Sequence, residues 1–308
     1  MVWESLVDAI RGDNTSGAAE LARTAAIAVL EWTDRTASMP LPTWKVELST
    51  LASRLYMAQP AMAPLFHLVN EIQLALESTA AHEELQPRVR RVVQAFLEQA
   101  TLANERLAMT TQELVPCGAR ILTFSYSSSI RAVLLKAHAG QRLSKVCCTE
   151  SRPILEGQRL SRELAKAGIA VEFGVDAATT AFAKRADLAL VGADSITTQG
   201  IVNKLGTTSL ALACRHIGIP CYVVADRHKW GPARMLAPAP SQPRPAAEIW
   251  SDPPTRVTIW NAYFECTPMT LFSGIVGEDG LRRPEELLRQ LMAMPIAQHL
   301  HRRPPGVD

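Results

Sequence analysis

From about residue 113 onward the chain alternates short apolar runs with stretches of helical length, and nothing else in it constrains the fold as strongly. The runs are Arg120 to Phe124, Lys145 to Cys148, Ala170 to Val175, Leu188 to Val191 and Cys221 to Ala225. Helical stretches lie between them near 129–139, 156–167, 177–185 and 207–217. Strands that are apolar without alternation are buried on both faces, as parallel strands joined by crossover helices are. The pattern predicts an α/β fold with a mainly parallel sheet covered on both sides.

The first part of the chain reads as helical. Ser16-Gly17-Ala18-Ala19-Glu20 leads into Leu21 to Trp32, rich in good helix formers. Pro60 and Pro64 punctuate a second stretch, Leu65 to Leu76. Val89, Val92, Val93, Phe96, Leu97 and Ala100 recur at helical spacing and define a broad apolar face. The expected organisation is a helical domain over 1–112 and a Rossmann-like domain with a mainly parallel sheet over 113–308. Residues 232–254 hold seven prolines and read as an extended surface loop. The tail from Glu285 reads as a helix with Leu287, Leu288 and Leu291 on one face, and the end from His301 is expected to fray.

Composition removes several function classes. A net charge of +2 leaves no electrostatic footprint for direct nucleic-acid binding. No apolar run approaches the length of a membrane span, and the acidic start Met1-Val2-Trp3-Glu4-Ser5 does not read as a signal peptide. The six cysteines form no C-x-x-C pair and several sit in apolar patterns, which reads as reduced, mostly buried thiols of a cytoplasmic protein. Scattered histidines argue against a zinc site, and neither metal nor cofactor is expected.

Polar residues collect just after the strand-like runs. Ser125 to Ser129 follow the first run, Glu150-Ser151-Arg152-Pro153 the second, Asp176 the third, Asp194 the fourth, and Asp226 and Lys229 the fifth. Open parallel sheets bind ligands outside the carboxyl ends of their strands. The densest segment is 187–208. There Asp194, a turn at Gly200 and the pair Asn203-Lys204 precede Gly206-Thr207-Thr208 at the start of a helix. A helix start attracts anions through its unpaired N–H groups, and Lys204 supplies a positive charge, so the expected ligand bears a phosphate. Structural roles compete. Ser127, Ser128 and Ser129 suit helix caps, Glu150 and Arg152 a rim ion pair, Asp176 a cap, and Asp226 and His228 a solvated surface.

The chain resembles the alpha/beta/delta regulatory subunits of translation initiation factor 2B, which are related to methylthioribose-1-phosphate isomerase and ribose-1,5-bisphosphate isomerase. The resemblance runs through Asp13 with Ser16-Gly17-Ala18, Pro60-Ala61-Met62-Ala63-Pro64 with Asn70, and Ile121 to Ser127. It continues through Glu150-Ser151-Arg152-Pro153, Glu156-Gly157, Gly192-Ala193-Asp194, Asn203 to Thr207, Lys229, and Asn261 to Pro268. It implies an N-terminal helical domain, a Rossmann-like domain and a homodimer or larger assembly.

In the isomerases a Cys and an Asp carry the aldose-to-ketose rearrangement of a sugar 1-phosphate. The resemblance matches the Asp to Asp194 and the Cys to Ser125, preceded by Phe124 where the isomerases usually have His. Two phosphate-clamping arginines match Ser16 and Gln59, whereas Asn203, Lys204 and Lys229 are kept. A thiol can exchange protons near neutral pH; an unassisted serine hydroxyl cannot. The expectation is an alpha-type regulatory protein that binds a sugar phosphate or nucleotide without the standard isomerase chemistry. Its ligand would meet Ser127, Ser128, Glu150, Arg152, Asn203, Lys204, Gly206, Thr207 and Lys229. The alternative is a pentose 1-phosphate isomerase with Asp194 as acid and base and Ser125 in the cysteine's place. A pure scaffold with a relic pocket is a third reading.

Overall fold

A computed structural model describes residues 2–13, 18–60, 62–78, 84–232 and 244–301. The chain forms two compact units. One comprises residues 1–102, 228–237 and 292–308, the other residues 103–227 and 238–291.

The first unit is helical, with α1 (Val2–Gly12), α2 (Ala18–Arg35), α3 (Leu41–Ala58), α4 (Ala63–Glu77) and most of α5 (Leu85–Gln112). Prolines near the starts of α3 and α4 supply a preset φ where no helical N–H is needed. Residues from Ala63 to Leu76 are buried almost without break, so α4 is the central helix of this unit. Its Leu65, Phe66, Leu68, Val69 and Ile72 pack with Trp44, Leu48 and Leu55 of α3 and Val89, Val93 and Phe96 of α5. Alanines Ala22, Ala25 and Ala26 complete the buried face of α2.

The tail clusters with this unit rather than with the sheet. Asn70 donates to the Pro295 carbonyl at 3.0 Å and accepts from the Ala297 N–H at 3.0 Å. The Glu77 carboxylate accepts from the N–H groups of Gln298 and His299, both at 2.9 Å, at the start of a short helix, Gln298–His301.

The second unit holds a seven-stranded sheet. In chain order it contains β1 (Ala119–Thr123), α6 (Ser128–Ala139), β2 (Leu143–Thr149), α7 (Glu156–Lys166), β3 (Val171–Gly174), α8 (Thr179–Ala183) and β4 (Leu188–Val191). Next come the short strands β5 (Ser195–Thr197) and β6 (Gly200–Lys204), then α9 (Thr207–Ile217), β7 (Cys221–Val224), β8 (Phe264–Thr267), β9 (Gly274–Gly277), β10 (Gly280–Arg282) and α10 (Pro284–Met292). The sheet order is β10-β9-β7-β4-β1-β2-β3, parallel throughout except for the β9–β10 pair. From β1 the chain builds outward through β2 and β3, then returns to place β4 on the other side of β1. The topological switch point therefore falls between β1 and β4.

Two further features depart from the sequence reading. Gly200 does not make a turn by itself; it opens β6 opposite Thr197, and β5, β6 and β8 form a separate antiparallel sheet. In α10, Leu287 and Leu291 are buried but Leu288 is exposed, because four residues, not one, return a helix to the same face. Of the proline-rich loop, 233–243 lie outside the described residues, and Ala246–Glu248 form a 3-10 turn. The end beyond His301 also lies outside them. Among the described residues no helix is long and apolar enough to cross a membrane.

Candidate functional site

At the switch point the loops after β1, β2 and β3 are laced together by side chains. Ser125 sits in the left-handed region at φ 66°, and its N–H donates to Ser151 Oγ at 2.7 Å. Ser151 is itself left-handed at φ 62° and fully buried. Its N–H and that of Arg152 donate to the two carboxylate oxygens of Asp176, each at 2.8 Å. Asp176 thus fixes the β2–α7 loop instead of capping its own helix. Left-handed serines cost conformational energy and persist where surrounding bonds hold them.

Ser127 caps α6, accepting from the Ile130 N–H at 3.3 Å, with Ser128 exposed in the first turn. Gly192, at the end of β4, lies against this cap. A Cβ there would fall 2.7 Å from Ser127 Oγ, so only glycine lets the two loops approach. Two residues on, Asp194 is exposed and donates its N–H to the Val202 carbonyl at 2.8 Å, one step beyond the β5–β6 register. Arg152 is exposed and directs its guanidinium to the carbonyls of Glu248 and Ile249, at 3.3 and 3.5 Å. Glu150 is half-buried beside it in the chain.

Asn203 and Lys204 are neighbours in a strand, so they project to opposite faces. Asn203 donates to Thr207 Oγ1 at 3.0 Å, and Thr207 Oγ1 donates to the Lys204 carbonyl at 2.6 Å. Lys204 is 2% exposed, and its Nζ lies 2.6 Å from Glu156 Oε2. The ring of Tyr263 lies 5.0 Å from the same nitrogen, with the Arg244 guanidinium 4.5 Å from that ring. The Tyr263 hydroxyl donates to Glu248, whose other oxygen accepts from Asn261 Nδ2 at 2.9 Å. Burial and then that carboxylate push the phenol's pKa up to about 12.

The start of α9 is already occupied. Glu265 of β8, opposite Asn203 in register, accepts from the N–H groups of Gly206 at 2.7 Å and Thr208 at 2.9 Å. The sequence reading gave this helix start to a phosphate; the fold gives it to a carboxylate from its own chain. Gly206, at φ 110°, is also required by its neighbour, since a Cβ there would lie 2.8 Å from Phe124 Cζ.

Other sites diverge from the sequence reading in a similar way. Asp226 and His228 are buried, not solvated; His228 packs 4.5 Å from the Phe96 ring. Lys229 ends the 3-10 turn Arg227–Lys229 and falls among residues 228–237 of the helical unit. Gln59 Nε2 donates to the carbonyls of Ile10, Arg11 and Asp13 at 3.2–3.4 Å, holding the end of α1. Ser16 lies outside the described residues. The thiols at the end of β2 do not replace the missing one. Burial pushes Cys148 up to about 11, and burial with Glu172 raises Cys147, so both favour the unreactive protonated form. Among the described residues no three His, Cys, Asp or Glu side chains gather to hold a metal ion.

The sequence model of the initiation factor 2 subunit family matches residues 14–284. A ribose 1,5-bisphosphate isomerase of Archaeoglobus fulgidus is 28% identical over 280 residues, covering 90% of this chain and 88% of that protein. A translation initiation factor eIF-2B subunit 2-like protein of Pyrococcus horikoshii is 34% identical over 226 residues, covering 73% of this chain and 77% of that one. A crystal structure of Pyrococcus horikoshii translation initiation factor eIF-2B superposes with a TM-score of 0.74 at 29% identity, covering 94% of this chain and 98% of that one.

Proposed function

The chain belongs to the initiation factor 2 subunit family, and from that premise we propose that it is a regulatory protein of the initiation factor 2B type. It binds a phosphorylated sugar or nucleotide at the carboxyl ends of its parallel strands, without the aldose–ketose chemistry that its isomerase relatives are named for. It works in the cytoplasm as a homodimer or larger assembly, and the bound small molecule tunes how it meets its protein partner.

The observation that carries this reading is the commitment of Lys204 to Glu156. An isomerase needs its cations available to the substrate as charge develops. Here the buried ammonium is neutralised within the chain, and Ser125 offers no readily ionised group. Gln59, which replaces a clamping arginine, spends its amide on the end of α1. In this reading Ser127, Ser128 and Arg152 face the ligand's phosphate, and Glu150 and Asp194 its hydroxyls. Lys204 acts through Glu156. Asn203, Gly206 and Thr207 set the geometry of the hairpin from behind.

A second reading keeps catalysis, with Asp194 as acid and base on a pentose 1-phosphate and Ser125 orienting the substrate. The exposed position of Asp194 beside the switch point favours it. Titration calorimetry with pentose phosphates, followed by assay of the same sample for ketose product, separates the two. Heat of binding with no product supports regulation; product overturns it.

A further inference from the structure

Resting on the ligand-binding reading above, we infer that the ligand carries a single phosphate, and that Glu156 selects against a second one by presenting its carboxylate to uncharged sugar hydroxyls. Two seats for an anion on this side of the molecule are each filled by a carboxylate of the chain. Glu156 holds Lys204 at 2.6 Å. Glu265 holds the start of α9 at 2.7 and 2.9 Å. The exposed Asp194, directly before β5, adds a third acid on this side. A phosphate dianion brought to Lys204 would have to share the ammonium with Glu156 or expel it. Away from bulk water, like charges at such distances repel strongly.

Hydroxyl groups meet no such opposition. A carboxylate only accepts, and with Glu156 Oε2 buried against Lys204, its other oxygen suits a hydroxyl donor. An acidic side chain holds a ribose hydroxyl in this way in dinucleotide-binding folds. Glu156 is the half of the pair that a ligand can reach, with 27% of its side chain exposed against 2% for Lys204. As the first residue of α7, it places its carboxylate at the positive end of the helix dipole.

The test is titration of the full chain with ribose 5-phosphate, ribose 1-phosphate and ribose 1,5-bisphosphate, alongside Glu156→Gln checked for folding by circular dichroism. The wild type should bind at least one monophosphate about tenfold or more tighter than the bisphosphate. Glu156→Gln should shrink that preference to within about threefold, since it removes the repelling charge and keeps the shape. A bisphosphate that binds the wild type as tightly as either monophosphate overturns the inference and leaves the ligand-binding reading standing. An unchanged preference in folded Glu156→Gln overturns the role of Glu156. Silence from all three sugars overturns the inference and the sugar-phosphate form of the reading beneath it. If Glu156→Gln does not fold, the wild-type ranking still decides.

Discussion

Lys204 Nζ and Glu156 Oε2 lie 2.6 Å apart, joining a strand of the small antiparallel sheet to the helix that follows β2. The lysine is buried and the glutamate only partly exposed, so the pair has little water to fall back on. Removing one partner strands a charge. Glu156→Ala should therefore destabilise the chain by about 3–5 kcal/mol, measured by urea unfolding, and the double change Glu156→Gln with Lys204→Met should recover much of that loss. A double variant whose loss equals the sum of the two single losses would show that the two residues act independently.

Glu265 is an internal substitute for a bound anion at α9, so its removal should be felt as a lost cap. Glu265→Ala should cost about 1–2 kcal/mol, read as a fall in Tm. Gly206→Ala should cost at least as much, because it adds a Cβ at φ 110° against the Phe124 ring. Phosphate added to wild-type protein should not compete for this helix start, whereas in Glu265→Ala it should raise the Tm.

Tyr263 gives the segment from Arg244 to Asn261 an alkaline signature. Its folded-state pKa stands at about 12, above the ordinary 10.0, through burial and the bond to Glu248. A group with a raised folded pKa contributes stability that is complete below its unfolded value and lost as pH rises through the folded one. Stability should therefore decline between pH 10 and 12 by more in the wild type than in Tyr263→Phe. The wild-type minus variant ultraviolet titration should show a phenol ionising near 12. A midpoint near 10 would contradict the geometry around Glu248.

Restoring the thiol tests whether one residue alone separates this chain from an isomerase. Ser125→Cys should fold, since the backbone at φ 66° is held by Ser151, and should remain without turnover on pentose 1-phosphates. The change leaves Lys204 neutralised by Glu156 and the position of Gln59 without a guanidinium. Turnover in this variant would show that the remaining site is complete.

Much of the sheet unit was legible in the sequence because buried parallel strands and their crossover helices leave continuous local patterns. Leu188 to Val191 and 207–217 coincide with β4 and α9 residue for residue. The small sheet was hidden because β6 finds its second partner, β8, some sixty residues later, and no local pattern encodes that pairing. The same distance in sequence concealed the site's true partners. Glu265 reaches Gly206 from β8, Glu156 reaches Lys204 from α7, and Tyr263 joins them from the chain after the proline-rich loop. The residue types at 203–207 announced an anion, and the fold supplied one from within. Glu156 stood in the sequence directly before a glycine with no room for a side chain: a Cβ on Gly157 would fall 1.8 Å from the Thr149 carbonyl oxygen. In the sequence itself this turn showed only as the Glu156-Gly157 pair among the residues that carry the family resemblance.

The central claim is that this chain binds a phosphorylated sugar at its strand ends without converting it. A phosphorus NMR time course on the full chain with ribose 1,5-bisphosphate, ribose 5-phosphate and methylthioribose 1-phosphate tests it most directly. The account predicts shifted or broadened substrate resonances for the monophosphates and no new ketose-phosphate signal at any time. Ketose-phosphate resonances that grow with time, and vanish in Asp194→Asn, would contradict it and make the chain an isomerase that works without the usual thiol.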